Sequence, residues 1–108
     1  MSDPLAAVTD LEAIRSAVRE VCLNLPVLRV HLFGSHAAGR AHPGSDVDLL
    51  IEFRPGVRVG LFELGAIREE LAERLGCGID LLTRNAVERS RNPIRRKAIL
   101  DHLVLVYE

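Results

Sequence analysis

The stretch HLFGSHAAGRAHPGSDVDLLIEF, residues 31–53, decides how the chain is read. An apolar run ends abruptly in Gly34-Ser35, and the next one opens with two aspartates, Asp46 and Asp48. Carboxylates at the mouth of a buried strand are costly unless something pairs with them. The stretch is therefore either an ordinary turn with acidic punctuation or a site.

On either side of the turn the pattern is that of strands. Residues 27–33, VLRVHLF, alternate and stop at Gly34. Residues 47–53, VDLLIEF, become nearly continuous in apolar character, as a central strand does. Between them, residues 35–41 predict a short helix and AHPGS predicts a turn. Upstream, residues 9–25 predict an amphipathic helix. Thr9-x-x-Glu12 has the form of a capping box, Leu11, Ile14, Val18, Val21 and Leu25 share one face, and Pro26 closes the helix. Downstream, residues 54–60 predict a loop. Residues 61–75 predict a second long helix, with Leu61, Leu64, Ile67, Leu71 and Leu75 on one face and Gly76 as C-cap. GIDLLT, residues 78–83, predicts a third strand. Asn92-Pro93 opens a last helix to Asp101, with Asn92 as N-cap, and residues 103–107 predict a final strand. The expected architecture is α/β: one domain over residues 1–108, with a single small mixed sheet flanked by helices.

Composition narrows the class. The chain has 108 residues, 48% apolar and 27% charged, and a net charge of −1 from 14 basic and 15 acidic residues. Such a balance argues against a dedicated nucleic-acid binder, which carries a basic excess. No apolar run approaches the ~20 residues of a membrane span. The polar, acidic start shows no signal-peptide pattern, and Cys22 and Cys77 are far apart with no CxxC. The expected setting is cytoplasmic, with reduced thiols.

Strand geometry then gathers the acids. A strand has period two, so Asp46 and Asp48 project from one face at one end. A third carboxylate, Asp80, opens the third strand. The second and third strands are joined by a long helix, the connection that a parallel pair requires, so their starts lie at the same end of the sheet. If the first two strands run antiparallel, Gly34-Ser35 arrives there as well. Carboxylates this close repel unless a cation sits among them. Mg²⁺ prefers oxygen ligands and commonly joins carboxylates to substrate phosphates, and two such ions can stabilise a leaving pyrophosphate. Gly34 lets backbone approach a phosphate, the helix that follows offers free N–H groups, and the Ser35 hydroxyl can donate.

Gly34-Ser35, ten residues (36–45), then Asp46-Val47-Asp48 resembles the signature of the DNA polymerase β-like nucleotidyltransferases. The likeness extends through residues 60–83, with Asp80 as the third acid, and through NPIRRKAILDHLVLVYE, and so covers essentially the whole chain. Within that superfamily the chain is most similar to the minimal nucleotidyltransferases, the antitoxin partners of HEPN-domain toxin RNases. The resemblance implies the polymerase β-like fold and transfer of AMP from ATP to a hydroxyl, a tyrosine of the toxin. It implies metal ligation by Asp46, Asp48 and Asp80, with two Mg²⁺ ions, and help from Asp80 in activating the attacking hydroxyl. It implies triphosphate binding by Gly34 and Ser35, with Gly39, Arg40 and Ser45 as further nucleotide contacts. Members of this subgroup often carry arginine at two positions that here are His36 and Ala38; Arg40 is the candidate replacement.

Other readings of these residues compete with this one. GSHAAGRA has P-loop glycine spacing, but Arg40-Ala41 stands where the motif needs Lys and then Ser or Thr. His31, His36, His42 and His102 show no metal-ligand spacing; His36 could approach a phosphate. Arg84, Arg89, Arg91, Arg95, Arg96 and Lys97 form the one local basic concentration. It reads first as a solvated helix face and alternatively as a surface for an acidic partner or for the triphosphate. Phe33 and Phe53 are expected in the core, and no chemistry attaches to Tyr107 or Phe62. Two further functions fit the same residues: an antitoxin that neutralises by docking alone, and nucleotidyl transfer to a small molecule. The short chain disfavours the latter, which calls for an added acceptor-gripping domain.

Overall fold

A computed structural model describes residues 10–108. Four strands, β1 (Val27–Phe33), β2 (Val47–Phe53), β3 (Ile79–Thr83) and β4 (Val104–Tyr107), form one mixed sheet in the order β3-β2-β1-β4. β1 pairs antiparallel with both β2 and β4, whereas β2 and β3 run parallel, as the helix between them requires. The long helices are α1 (Leu11–Cys22) and α3 (Leu61–Leu75); α2 (Gly34–Ala37), α4 (Arg84–Glu88) and α5 (Pro93–Leu100) are short.

The two faces of the sheet are covered differently. Val47, Leu49 and Ile51 of β2 and Ile79 and Leu81 of β3 point toward α1 and α3, where they join Ile14, Val18, Ile67 and Leu71 in the main core. Alternation sends Leu50 and Leu82 to the other face, where they pack with Phe33, Val87 of α4 and Ile99 of α5 in a smaller cluster. Asp48 and Asp80 precede Leu50 and Leu82 by two residues, so they share that second face, one pleat beyond the apolar cover.

Local signals explain most boundaries. Asn92 caps α5, its Oδ1 accepting from the N–H groups of Ile94 and Arg95 at 3.1 Å each, with Pro93 at the first helical position. Gly76 ends α3 in the left-handed region at φ 67°. α1 is shorter than its apolar periodicity. Asp10 caps it by accepting from Ala13 N, and it gives way at Leu23 to a turn, with Leu25 N–H donating to Cys22 O at 3.0 Å. Thr9, of the expected capping box, lies outside the described residues. α2 ends at Ala37 rather than reaching residue 41, because Gly39 turns left-handed at φ 71°. α4 falls where the sequence indicated no element; Thr83, the last residue of β3, caps it by accepting from Ala86 N at 3.1 Å.

Cys22 is buried in the main core, and burial, with Glu70 nearby, pushes its thiol up to about 11, so it stays protonated and unreactive. Among the described residues no helix is long and apolar enough to cross a membrane.

Candidate active site

β2 positions the acids because it is the central strand between one antiparallel and one parallel neighbour. Asp48 stands opposite Phe33 across the β1 pairing and opposite Asp80 across the β3 pairing. Gly34 follows Phe33 directly and opens α2, so all four pieces of sequence meet at one end of the sheet. The convergence expected from strand alternation and crossover length is present.

Two glycines make room for the carboxylates. A Cβ on Gly34 would stand 3.0 Å from Cγ of Asp48 and closer still to its Oδ2, and Gly34 sits at φ +74°, where side chains are strained. A Cβ on Gly78 would stand 2.9 Å from Cγ of Asp46 and closer to its Oδ1. Gly78 also holds the register, since its carbonyl accepts from Val47 N at 2.9 Å. Sequence reasoning singled out Gly34 and missed Gly78, whose signal is its place two residues before Asp80, as Asp46 is two before Asp48.

The electrostatics follow from this crowding. Asp48 is half-buried beside the buried Phe33, while Asp46 and Asp80 are exposed. Burial, then the charges of Asp80 and Asp46, raise the Asp48 carboxyl from 3.8 to about 6. A hard cation suits this donor set: oxygen ligands only, acidic charges that repel without one, and glycine cradles that leave the oxygens uncovered. Among the described residues no three His, Cys, Asp or Glu side chains are gathered into a cage for an ion. Carboxylates that share a Mg²⁺ with substrate phosphates need no such cage.

The other predicted residues divide. No side chain caps α2, because Phe33 occupies the capping position, and Ser35 is half-buried in its first turn. Arg40 is exposed and has no ion-pair or hydrogen-bond partner for its side chain among the described residues. Ser45 is engaged in its own turn: its Oγ accepts from His42 N at 2.9 Å, and its N–H donates to His42 O at 2.9 Å. His36 turns away from the acids. It lines a cavity of about 150 Å³ with Leu11, Ile14, Leu32 and Val104 on the α1 side of the sheet. This lining places His36 with α1 and main-core residues, on the face opposite Asp48 and Asp80. A larger cleft, about 470 Å³, opens at the far ends of β2 and β3 beside Phe53, Arg54, Thr83 and Arg84, and contains none of the predicted site residues.

Two predictions come from this geometry. The folded protein holds the Asp48 proton more tightly than the unfolded chain, so metal-free stability falls as pH rises from about 4 to about 6, and the penalty is complete above that. Asp48→Asn should remove this slope. A fully buried shift of that size would correspond to ~3 kcal/mol; solvent screening of a half-exposed group reduces the gain at pH 7 to about 1 kcal/mol. Urea unfolding of both proteins at pH 4 and pH 7 checks it. Separately, Gly78→Ala should leave the fold intact, because its φ lies outside the left-handed region, yet displace the Asp46 carboxylate. The expected result is unchanged thermal unfolding together with Mg²⁺ binding weakened about tenfold, read by calorimetry.

Comparison with known proteins points to one family. Residues 14–106 match the family described as Nucleotidyltransferase domain. "Putative protein adenylyltransferase MJ0435" of Methanocaldococcus jannaschii is 32% identical over 95 residues, covering 88% of this chain and 96% of that protein. A solved structure, "Structure of putative minimal nucleotidyltransferase", is 34% identical, with a TM-score of 0.65 over 88% of this chain and 94% of that one. A structure of a tri-AMPylated HEPN toxin from Shewanella oneidensis in complex with MNT antitoxin shares the fold. Its TM-score is 0.63 at 13% identity, over 89% of this chain and 71% of that one. With the family matched over residues 14–106 and a relative and a solved structure more than 30% identical over most of both chains, the protein belongs to the nucleotidyltransferase domain family, among its minimal members.

Proposed function

We propose that the protein is an antitoxin that transfers AMP from ATP to a tyrosine hydroxyl of a HEPN-family toxin in the cytoplasm. The observation that carries this reading is the meeting of Asp46, Asp48 and Asp80 beside Gly34-Ser35 at one end of the sheet. The fold neighbour that pairs an MNT antitoxin with an AMPylated toxin supports the choice of acceptor, and the adenylyltransferase relative supports the choice of group transferred.

In this reading the acceptor oxygen attacks the α-phosphorus of ATP, the bond to the β-phosphate oxygen breaks, and pyrophosphate leaves. Asp80, exposed at the mouth of the site, takes the hydroxyl proton. Asp46 and Asp48 would hold Mg²⁺, two ions by family likeness, which when bound neutralises the triphosphate and the departing charge. Gly34 and the uncapped first turn of α2 present backbone N–H groups to the phosphates, with Ser35 adding its hydroxyl. The left-handed turn at Gly39 leads into Arg40, whose exposed, unpaired guanidinium would be the cation offered to the triphosphate. Ser45 shapes the turn that delivers Asp46. One observation favours a second reading, neutralisation by docking alone: the position of a common family arginine is His36, which faces away from the acids.

Asp48→Ala separates the two. Incubation of wild type with ATP, Mg²⁺ and the HEPN-family toxin should add AMP to the toxin by intact mass. The variant should do so at least about a hundredfold more slowly while still co-purifying with the toxin. Protection of cells by wild type without any added mass would favour docking alone.

A further inference from the structure

The face of the sheet that carries the acids holds a second feature. β3 continues from Asp80 to Leu82, roughly 7 Å along the strand, and Leu82 forms the floor of a slot of about 190 Å³ with Val87 and Ile99. Ser90, Arg95 and Arg96 form its rim. The rim is fixed in place: Arg96 Nη1 donates to Ser90 O at 2.9 Å, Asn92 N–H donates to Ser90 Oγ at 3.3 Å, and Asn92 in turn caps α5.

The charge around this slot is local and uncompensated. Four of the eight residues 89–96 are arginine and none is acidic, in a chain whose net charge is −1. The flanking cations are neutralised, Arg84 by Glu88 at 2.9 Å and Lys97 by Asp101 at 2.7 Å. Arg89, Arg91 and Arg95 have no side-chain partner among the described residues, and between them Ile94 is 82% exposed. An apolar floor, an exposed isoleucine and a preorganised basic rim suit a polypeptide with acidic residues beside an apolar one. Nucleic acid would want aromatic stacking platforms, which the slot lacks, and a triphosphate gains nothing from a floor of Leu82, Val87 and Ile99.

We infer that the slot between α4 and α5, rimmed by Arg95 and Arg96 with the unpaired Arg89 and Arg91 in the adjoining segment, docks an acidic segment of the acceptor protein, an apolar side chain seated over Leu82, next to the residue presented to Asp80. This rests on the reading that the acceptor is a protein.

The probe is the hexapeptide Glu-Asp-Leu-Tyr-Glu-Asp, titrated into the labelled full chain without ATP or Mg²⁺ and followed by backbone amide shifts. The acidic peptide should move the amides of Leu82, Ser90 and Arg95 and bind about tenfold tighter than its Gln/Asn counterpart. Arg91→Glu with Arg95→Glu should abolish that preference, and Ile94→Asp, which leaves the arginines in place, should weaken binding while the spectrum stays folded. Equal binding of the two peptides, shifts confined to other surfaces, displacement of the peptide from these amides by ATP, or tighter binding of an oligouridylate at the same amides would each overturn the inference. No AMP transfer is read, so a failure of catalysis and a failure of docking are separate results.

Discussion

Like charges held close at the start of two parallel strands are the constraint on which the site depends. Asp48 sits on the central strand with Asp80 directly across from it and Asp46 two residues back, and the apolar Phe33 on its other side removes water that would screen them. Such a group is a poor structural element: it lowers stability at neutral pH rather than adding to it. Its presence in a small fold makes sense as chemistry, because the same crowding that disfavours ionisation attracts a divalent cation and the phosphates that travel with one.

The sheet is arranged to make that crowding possible. The antiparallel β1 brings Gly34 to the carboxylate end, and the helical crossover through α3 brings Asp80 there in parallel register. Gly34 and Gly78 leave the space that a methyl group would fill. The main core lies on the opposite face, under α1 and α3, so the face that carries the acids needs only a small apolar cover from α4 and α5. Division of labour between the faces lets stability and reactivity reside in different side chains of the same strands.

Much of this was readable in the residues. Alternation in 27–33 and 47–53, long amphipathic runs and the crossover rule placed the four strands and brought Gly34, Asp46, Asp48 and Asp80 together. What escaped was set by interactions one turn long or by tertiary direction. α4 has five residues, too few for a period to show, and its cap is a threonine that also ends a strand. α1 ends inside its apolar pattern because caps and turns, not periodicity, decide termini. The turn of His36 toward the α1 face depends on how the backbone leaves β1, and the part played by Gly78 depends on the register between β2 and β3. The basic run from Arg84 to Lys97 was visible, but only the fold places α4 and α5 on the acids' own face.

The most direct measurement of the central claim is the calorimetric affinity for ATP with Mg²⁺ and with EDTA. Carboxylates that repel phosphate when bare and recruit it through a shared cation predict ATP binding at least about tenfold tighter with Mg²⁺. They also predict loss of that difference when Asp46 and Asp48 are both changed to Asn. Equal ATP affinity with and without Mg²⁺ in the unaltered protein would contradict it.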